Sequence, residues 1–185
     1  MPRPLVATID IAALRHNLKI AKQHAPASKV WAVVKANAYG HGLERGMRGF
    51  AAADGLALIE VDGAMRLRQL GWKKRILLLE GFFDEQDLPV IAEHGVDLVV
   101  HSEHQLAMLE QWRGTAIIDV HLKMNSGMNR LGFTPQCYRA AYERLRAHPS
   151  IGSISFVTHF ANAEDANNPH LAMAEQLRRF NDATH

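Results

Sequence analysis

Apolar residues fall along this chain in two alternating patterns. Short runs dense in Val, Ile and Leu occur at Val30–Lys35, Leu56–Glu60, Ile76–Glu80, Val96–His101, Ile117–Lys123 and Ile154–His159. They are nearly continuous rather than alternating, as expected of strands covered on both faces of a parallel sheet. Between them the apolar positions recur at helical spacing. Asp10 is an N-cap for a helix whose Ile11, Leu14, Leu18 and Ala21 share one face. Ser102 and Gln105 form a capping-box pair, and Gly114 is expected to close that helix. Asp84-Glu85-Gln86-Asp87 reads as an acidic helix start that complements the macrodipole. Thr134-Pro135 opens a further helix with Tyr138, Ala141, Tyr142 and Leu145 on one stripe, and Pro149 ends it. A last helix is expected over Leu171–Phe180.

Strand, helix, strand, helix with short links implies right-handed βαβ crossovers. An open doubly wound sheet and a closed (β/α) barrel both satisfy that pattern. No G-x-G-x-x-G follows the first strand, which weakens the dinucleotide-binding open sheet. Each apolar run ends in an ionisable residue: Lys35, Glu60, Glu80, His101, Lys123 and His159. A barrel gathers the carboxyl ends of its strands on one face, where its chemistry sits. Strand ends that simply meet solvent account for Glu60, Glu80 and His101 equally well. They account less well for Lys35 and Lys123, whose neighbours are distinctive. The expected fold is therefore α/β, a (β/α)8 TIM-type barrel. A complete barrel takes about 250 residues. This chain offers about six βα units, so residues 1–185 are expected to form an incomplete barrel domain, with 1–10 a leading strand outside the barrel proper. Two open sheet edges would then invite intermolecular pairing.

Composition narrows the picture mainly by exclusion. The 185 residues are 48% hydrophobic and 22% charged, with a formal net charge of +2. No basic stripe argues for a nucleic-acid partner. No run is long enough to cross a bilayer, and the N-terminus lacks a secretory apolar core. Cys137 is the single cysteine, which suits a reducing compartment, so a cytoplasmic protein is expected. His101, Glu103 and His104 lack the H-E-x-x-H spacing, and no metal site is expected there.

Candidate chemistry concentrates in Val33-Val34-Lys35-Ala36-Asn37-Ala38-Tyr39-Gly40-His41-Gly42. An amine emerging from apolar surroundings is disfavoured as an ammonium and becomes nucleophilic. Such a lysine forms a Schiff base with an aldehyde. Gly40 and Gly42 allow close backbone approach, Tyr39 offers a hydroxyl, and a helix from about Gly42 would present its N-terminus to an anion. An aldehyde carrying a phosphate fits this set. A surface lysine whose stem covers apolar neighbours fits it too.

The segment resembles the pyridoxal-phosphate lysine motif of bacterial alanine racemases. Leu77–Phe83 (LLLEGFF), His121–Phe133 (HLKMNSGMNRLGF) and Val157–Glu164 (VTHFANAE) extend the resemblance in order along the chain. The opening MPRP…IDIAALRHNL and the VHSEHQL segment look more like the catabolic branch of that family. The resemblance implies a barrel followed by a mostly β C-terminal domain, absent here, in a homodimer that interconverts L- and D-alanine. D-Alanine biosynthesis for peptidoglycan is the metabolic setting it suggests. It also implies pyridoxal 5'-phosphate as cofactor, bound through a Schiff base to Lys35, which would serve as the base on the D-alanine side. Tyr39 would contact the phosphate and His159 would lie against the cofactor ring. Lys123 matches a lysine often found carbamylated, and Arg130 matches the arginine beside it; a carbamate would orient Arg130 through a charge-assisted pair. The tyrosine that serves the opposite face of the substrate lies in the missing domain, so this chain alone is expected to be inactive. Two other readings remain open: a non-catalytic pyridoxal-phosphate homeostasis barrel, and a related racemase or decarboxylase acting on a larger amino acid.

Overall fold

The computed structural model describes residues 4–165, 167–168 and 171–184. Six strands are present: β1 (Trp31–Val33), β2 (Gly55–Leu58), β3 (Arg75–Leu78), β4 (Asp97–Val100), β5 (Ile118–Met124) and β6 (Ile151–Thr158). They lie in one sheet in strict chain order, with parallel pairing. This order decides between the two candidate architectures. A doubly wound sheet reverses direction at a switch point, whereas a barrel places each strand beside its predecessor. Helices α1 (Ile11–His24), α2 (Lys35–Tyr39), α3 (Leu43–Gly49), α4 (Val61–Gln69), α5 (Leu88–Glu93), α6 (Glu103–Gln111), α7 (Pro135–Ala147) and α8 (Met173–Thr184) precede, connect and follow the strands. The chain divides into two compact units, Met1–Leu77 and Leu78–His185.

In the first unit, Asp10 caps α1 by accepting from the Ala12 and Ala13 N–H groups at 2.7 and 3.2 Å. Leu18 on the expected apolar face is buried. Strand β2 is buried along its whole length. Of the leading strand expected over 1–10, residues 1–3 lie outside the described residues and residues 4–10 form no strand; Leu5 and Val6 are 87% and 83% exposed.

In the second unit, β4 is buried throughout, while β5 alternates buried Ile118, Val120, Leu122 and Met124 with half-buried Asp119, His121 and Lys123. Tyr138 of α7 is 1% exposed and donates its hydroxyl to the Leu122 carbonyl at 2.7 Å. Burial pushes its phenol well above the ordinary value. Tyr138 and Tyr142 meet Phe156 of β6 edge-on, at centroid distances of 5.8 and 5.5 Å. Tyr138→Phe should keep the ring contact and lose the buried hydroxyl bond, costing about 1 kcal/mol by urea denaturation; an unchanged midpoint would mean that the bond adds nothing. Strand β6 stands at one end of the strand order and is half-buried or exposed at every residue.

Several boundaries differ from the sequence expectation. Lys35, Glu60 and Glu80 lie two residues beyond their strands, His101 and His159 one beyond, and Lys123 one before the end of β5. Helix α6 ends at Gln111, and Gly114 serves as a contact for the Trp112 ring rather than as its cap. The last helix runs over Met173–Thr184 instead of Leu171–Phe180. No described helix is long and apolar enough to cross a membrane.

Candidate active site

Strand β1 stops at Val33, and Val34 still donates to the Ala57 carbonyl of β2 at 2.7 Å. The chain then turns the wrong way round. Ala36, Asn37, Ala38 and Tyr39 all have φ between 49° and 55°, and Gly40 follows at 83°. Helix α2 is thus a left-handed turn. For L-residues this costs roughly 1–2 kcal/mol each, so ordered runs of it are rare and invite a functional reading. The turn is held from several sides. Ala38 N–H donates to the Val34 carbonyl, Gly40 N–H to Ala36 and Gly42 N–H to Asn37, at 2.9–3.0 Å. Asn37 Oδ1 accepts from Leu43 N–H at 2.7 Å, and Glu60 Oε1 accepts from Ala36 N–H at 3.3 Å. Lys35 opens this turn, half-buried; Tyr39 closes it, 60% exposed. The helix expected from Gly42 is α3, a seven-residue segment starting at Leu43. Such a short helix adds little anion affinity of its own.

A half-buried primary amine at the end of a strand, with an exposed phenol four residues on, fits an aldehyde with an anionic group in the kind of donors it offers. The two lysines whose protons are visibly committed lie elsewhere in the unit. Lys22 pairs with Asp54 at 3.1 Å, and Lys74 donates to the Ala51 and Ala53 carbonyls at 2.9 and 2.8 Å.

The second unit holds the other candidates. Lys123 sits half-buried on β5, and Arg130 is exposed in the loop that follows. That loop returns to the strand it left: Phe133 N–H donates to the Lys123 carbonyl and Asn125 N–H to the Phe133 carbonyl, both at 2.9 Å. Asn125 Oδ1 accepts from the Gly127 and Asn129 N–H groups at 3.1 and 3.0 Å, and Ser126 Oγ lies 2.7 Å from Thr158 Oγ1 at the end of β6. His159, exposed, comes directly after that threonine. The loop therefore joins the Lys123–Arg130 segment to the strand that carries His159.

Sequence reasoning missed Gln105. It is 3% exposed, and its side chain accepts from His101 N–H at 3.0 Å while donating to the Glu80 and Phe82 carbonyls at 2.7 and 3.1 Å. The capping box pointed to this residue, but only half of that box forms. Ser102 Oγ accepts from Gln105 N–H at 3.4 Å, and the amide reaches past Ser102 to the neighbouring loop. His101 Nε2 lies 3.2 Å from the Glu80 carbonyl. Burial holds the His101 imidazole below its ordinary value, with the Lys123 cation adding to this and the Glu80 carbonyl opposing it.

A family model described as alanine racemase, N-terminal domain, matches residues 9–185. The chain belongs to the alanine racemase family. It is 73% identical over 184 residues to the alanine racemase of Janthinobacterium sp. (strain Marseille), covering 100% of this chain and 51% of that protein. The crystal structure of the biosynthetic alanine racemase from Pseudomonas aeruginosa superposes with a TM-score of 0.93 at 39% identity, covering 99% of this chain and 51% of the other. A histidine racemase from Leuconostoc mesenteroides superposes at 0.83 with 30% identity, over 95% and 48% of the two chains. The fold is accordingly that of the racemase N-terminal barrel, present in part. The chain spans about half the length of the curated relatives it matches.

Proposed function

We propose that this chain is the cofactor-holding barrel portion of an alanine racemase, a pyridoxal 5'-phosphate-dependent isomerase that interconverts L- and D-alanine. The observation that carries the reading is Lys35, a half-buried amine presented by a left-handed turn at the end of β1, in a chain of this family. Lys35 would hold the cofactor, with Tyr39 donating its hydroxyl to the phosphate and His159 lying against the ring. When bound, the cofactor supplies an electron sink that makes the α-proton of an amino acid acidic. The amine of Lys35 then takes or returns that proton on one face of the α-carbon. Arg130 and Lys123 support the site, with Lys123 carbamylation as one form of that support.

Inversion needs a second proton carrier on the opposite face. Tyr138 is committed to the Leu122 carbonyl inside the core, and Tyr142 packs on Phe156. Tyr39 belongs to the phosphate side. The resemblance to the family assigns that role to a tyrosine of its C-terminal domain, supplied by the second subunit of a homodimer. A cytoplasmic location completes the reading.

The histidine racemase neighbour favours a second reading, a related racemase acting on a larger amino acid. The test is a coupled D-amino-acid oxidase assay on the full polypeptide that contains this chain, with L-alanine and L-histidine in parallel. Turnover of alanine with little of histidine is expected, and none from the 185-residue chain alone. Preference for histidine would establish the second reading, and turnover of neither would overturn both.

A further inference from the structure

We propose that His101 is a positioning residue for the ε-amine of Lys123, set beside it across β4 and β5 and fixed there by the Glu80 carbonyl and Gln105. The proposal rests on the reading that Lys123 belongs to the site. Leu98, Val99 and Val100 pair in register with Val120, His121 and Leu122. Extended one step past the end of β4, that register would bring His101 level with Lys123, and the two side chains are close enough for the lysine charge to act on the imidazole.

His101 is held at its ring and at its backbone. A carbonyl can only accept, so the 3.2 Å contact to Glu80 places the ring proton on Nε2. The neutral ring then keeps its lone pair on Nδ1. The backbone of His101 is tied to Gln105 Oε1, and the same amide ties down the carbonyls of Glu80 and Phe82. The clamp is built around a missing side chain. Gly81 has φ +69°, and a Cβ there would lie 2.6 Å from Gln105 Nε2 and run into the Val99 carbonyl. The charged neighbours of the ring are Glu80 and Lys123; His121, with Asp97 at 3.8 Å, shares the face of β5 two residues before Lys123. A ring kept neutral here fills the place beside the lysine without adding a second cation to repel its ammonium form.

The test labels the amines of the 185-residue chain with an acetylating ester and maps the modified peptides. His101→Ala should speed acetylation of Lys123 by about threefold or more, through loss of local order, with an unchanged near-UV circular dichroism spectrum. His101→Gln should stay near the parent rate, since its amide can still donate to the Glu80 carbonyl and adds no charge. By nitrogen-15 NMR His101 should show the Nε2–H tautomer, and Lys123→Met should raise its titration midpoint. Equal Lys123 labelling in His101→Ala would overturn the proposal. If that variant does not fold, a His101 midpoint unmoved by Lys123→Met overturns it instead. Cofactor trapping on Lys35 is scored separately. Its failure alongside the expected labelling would sink the racemase reading and leave the His101–Lys123 pairing standing.

Discussion

Lys35→Ala protein should retain no covalently held coenzyme. The parent chain, mixed with pyridoxal 5'-phosphate and reduced with borohydride, should yield one labelled peptide carrying residue 35; the variant should yield none, and its visible absorption should vanish. The loss is expected because Lys35 alone opens the left-handed turn at the end of β1. Lys22 is held in an ion pair with Asp54 and Lys74 by the Ala51 and Ala53 carbonyls, so each would have to give up those contacts to react. The substitution removes no packed group of the core: Val34 and Ala38, on either side of it, supply the buried contacts. Circular dichroism should therefore match the parent. Label of equal stoichiometry on another lysine of the variant would remove the basis for placing the cofactor here.

Gly132→Ala should be strongly damaging to the second unit. Gly132 has φ +117°, and a Cβ there would sit 2.7 Å from both the Asn125 nitrogen and the Met124 carbonyl carbon, and 3.1 Å from the Lys123 carbonyl oxygen. These are backbone atoms and cannot step aside as a flexible side chain would. The backbone penalty and the overlap together suggest about 3–4 kcal/mol. For a chain of this size that is a fall in Tm of roughly 6–16 °C. The damage should also be directional, because the same glycine lets Phe133 return to the end of β5 and pair with the Lys123 carbonyl. Urea denaturation measures the cost, and backbone amide exchange at Asn125 and Phe133 locates it. A variant within 0.5 kcal/mol of the parent would show that the return strand has room to move.

The strand and helix alternation was readable because burial on both faces forces continuous Val, Ile and Leu. Each of the six runs became a strand. Their ends were not readable, because a strand stops where its neighbour stops pairing with it. At Lys35 an apolar run continues to the charge, yet regular pairing ends at Val33. The left-handed turn left only a faint trace: Asn37 tolerates that conformation better than most residues, and two glycines follow, but Ala36, Ala38 and Tyr39 carry no such preference. Gln105 showed the opposite case. Its spacing from Ser102 was legible, but its partners lie 25 and 23 residues away in a loop that only folding brings near. The candidate residues were picked out by their likeness to a family; the Gln105 clamp beside His101 was not.

Four consecutive residues wound against their preferred hand amount to a loaded spring, holding roughly 4–8 kcal/mol. The latches are the Val34, Ala36, Asn37 and Ala57 carbonyls, the Asn37 amide and the Glu60 carboxylate. Slip any one, and the coil can relax toward the ordinary hand while the surrounding core is still intact. The amine at its root would swing away first, so this barrel can be disarmed well before it melts.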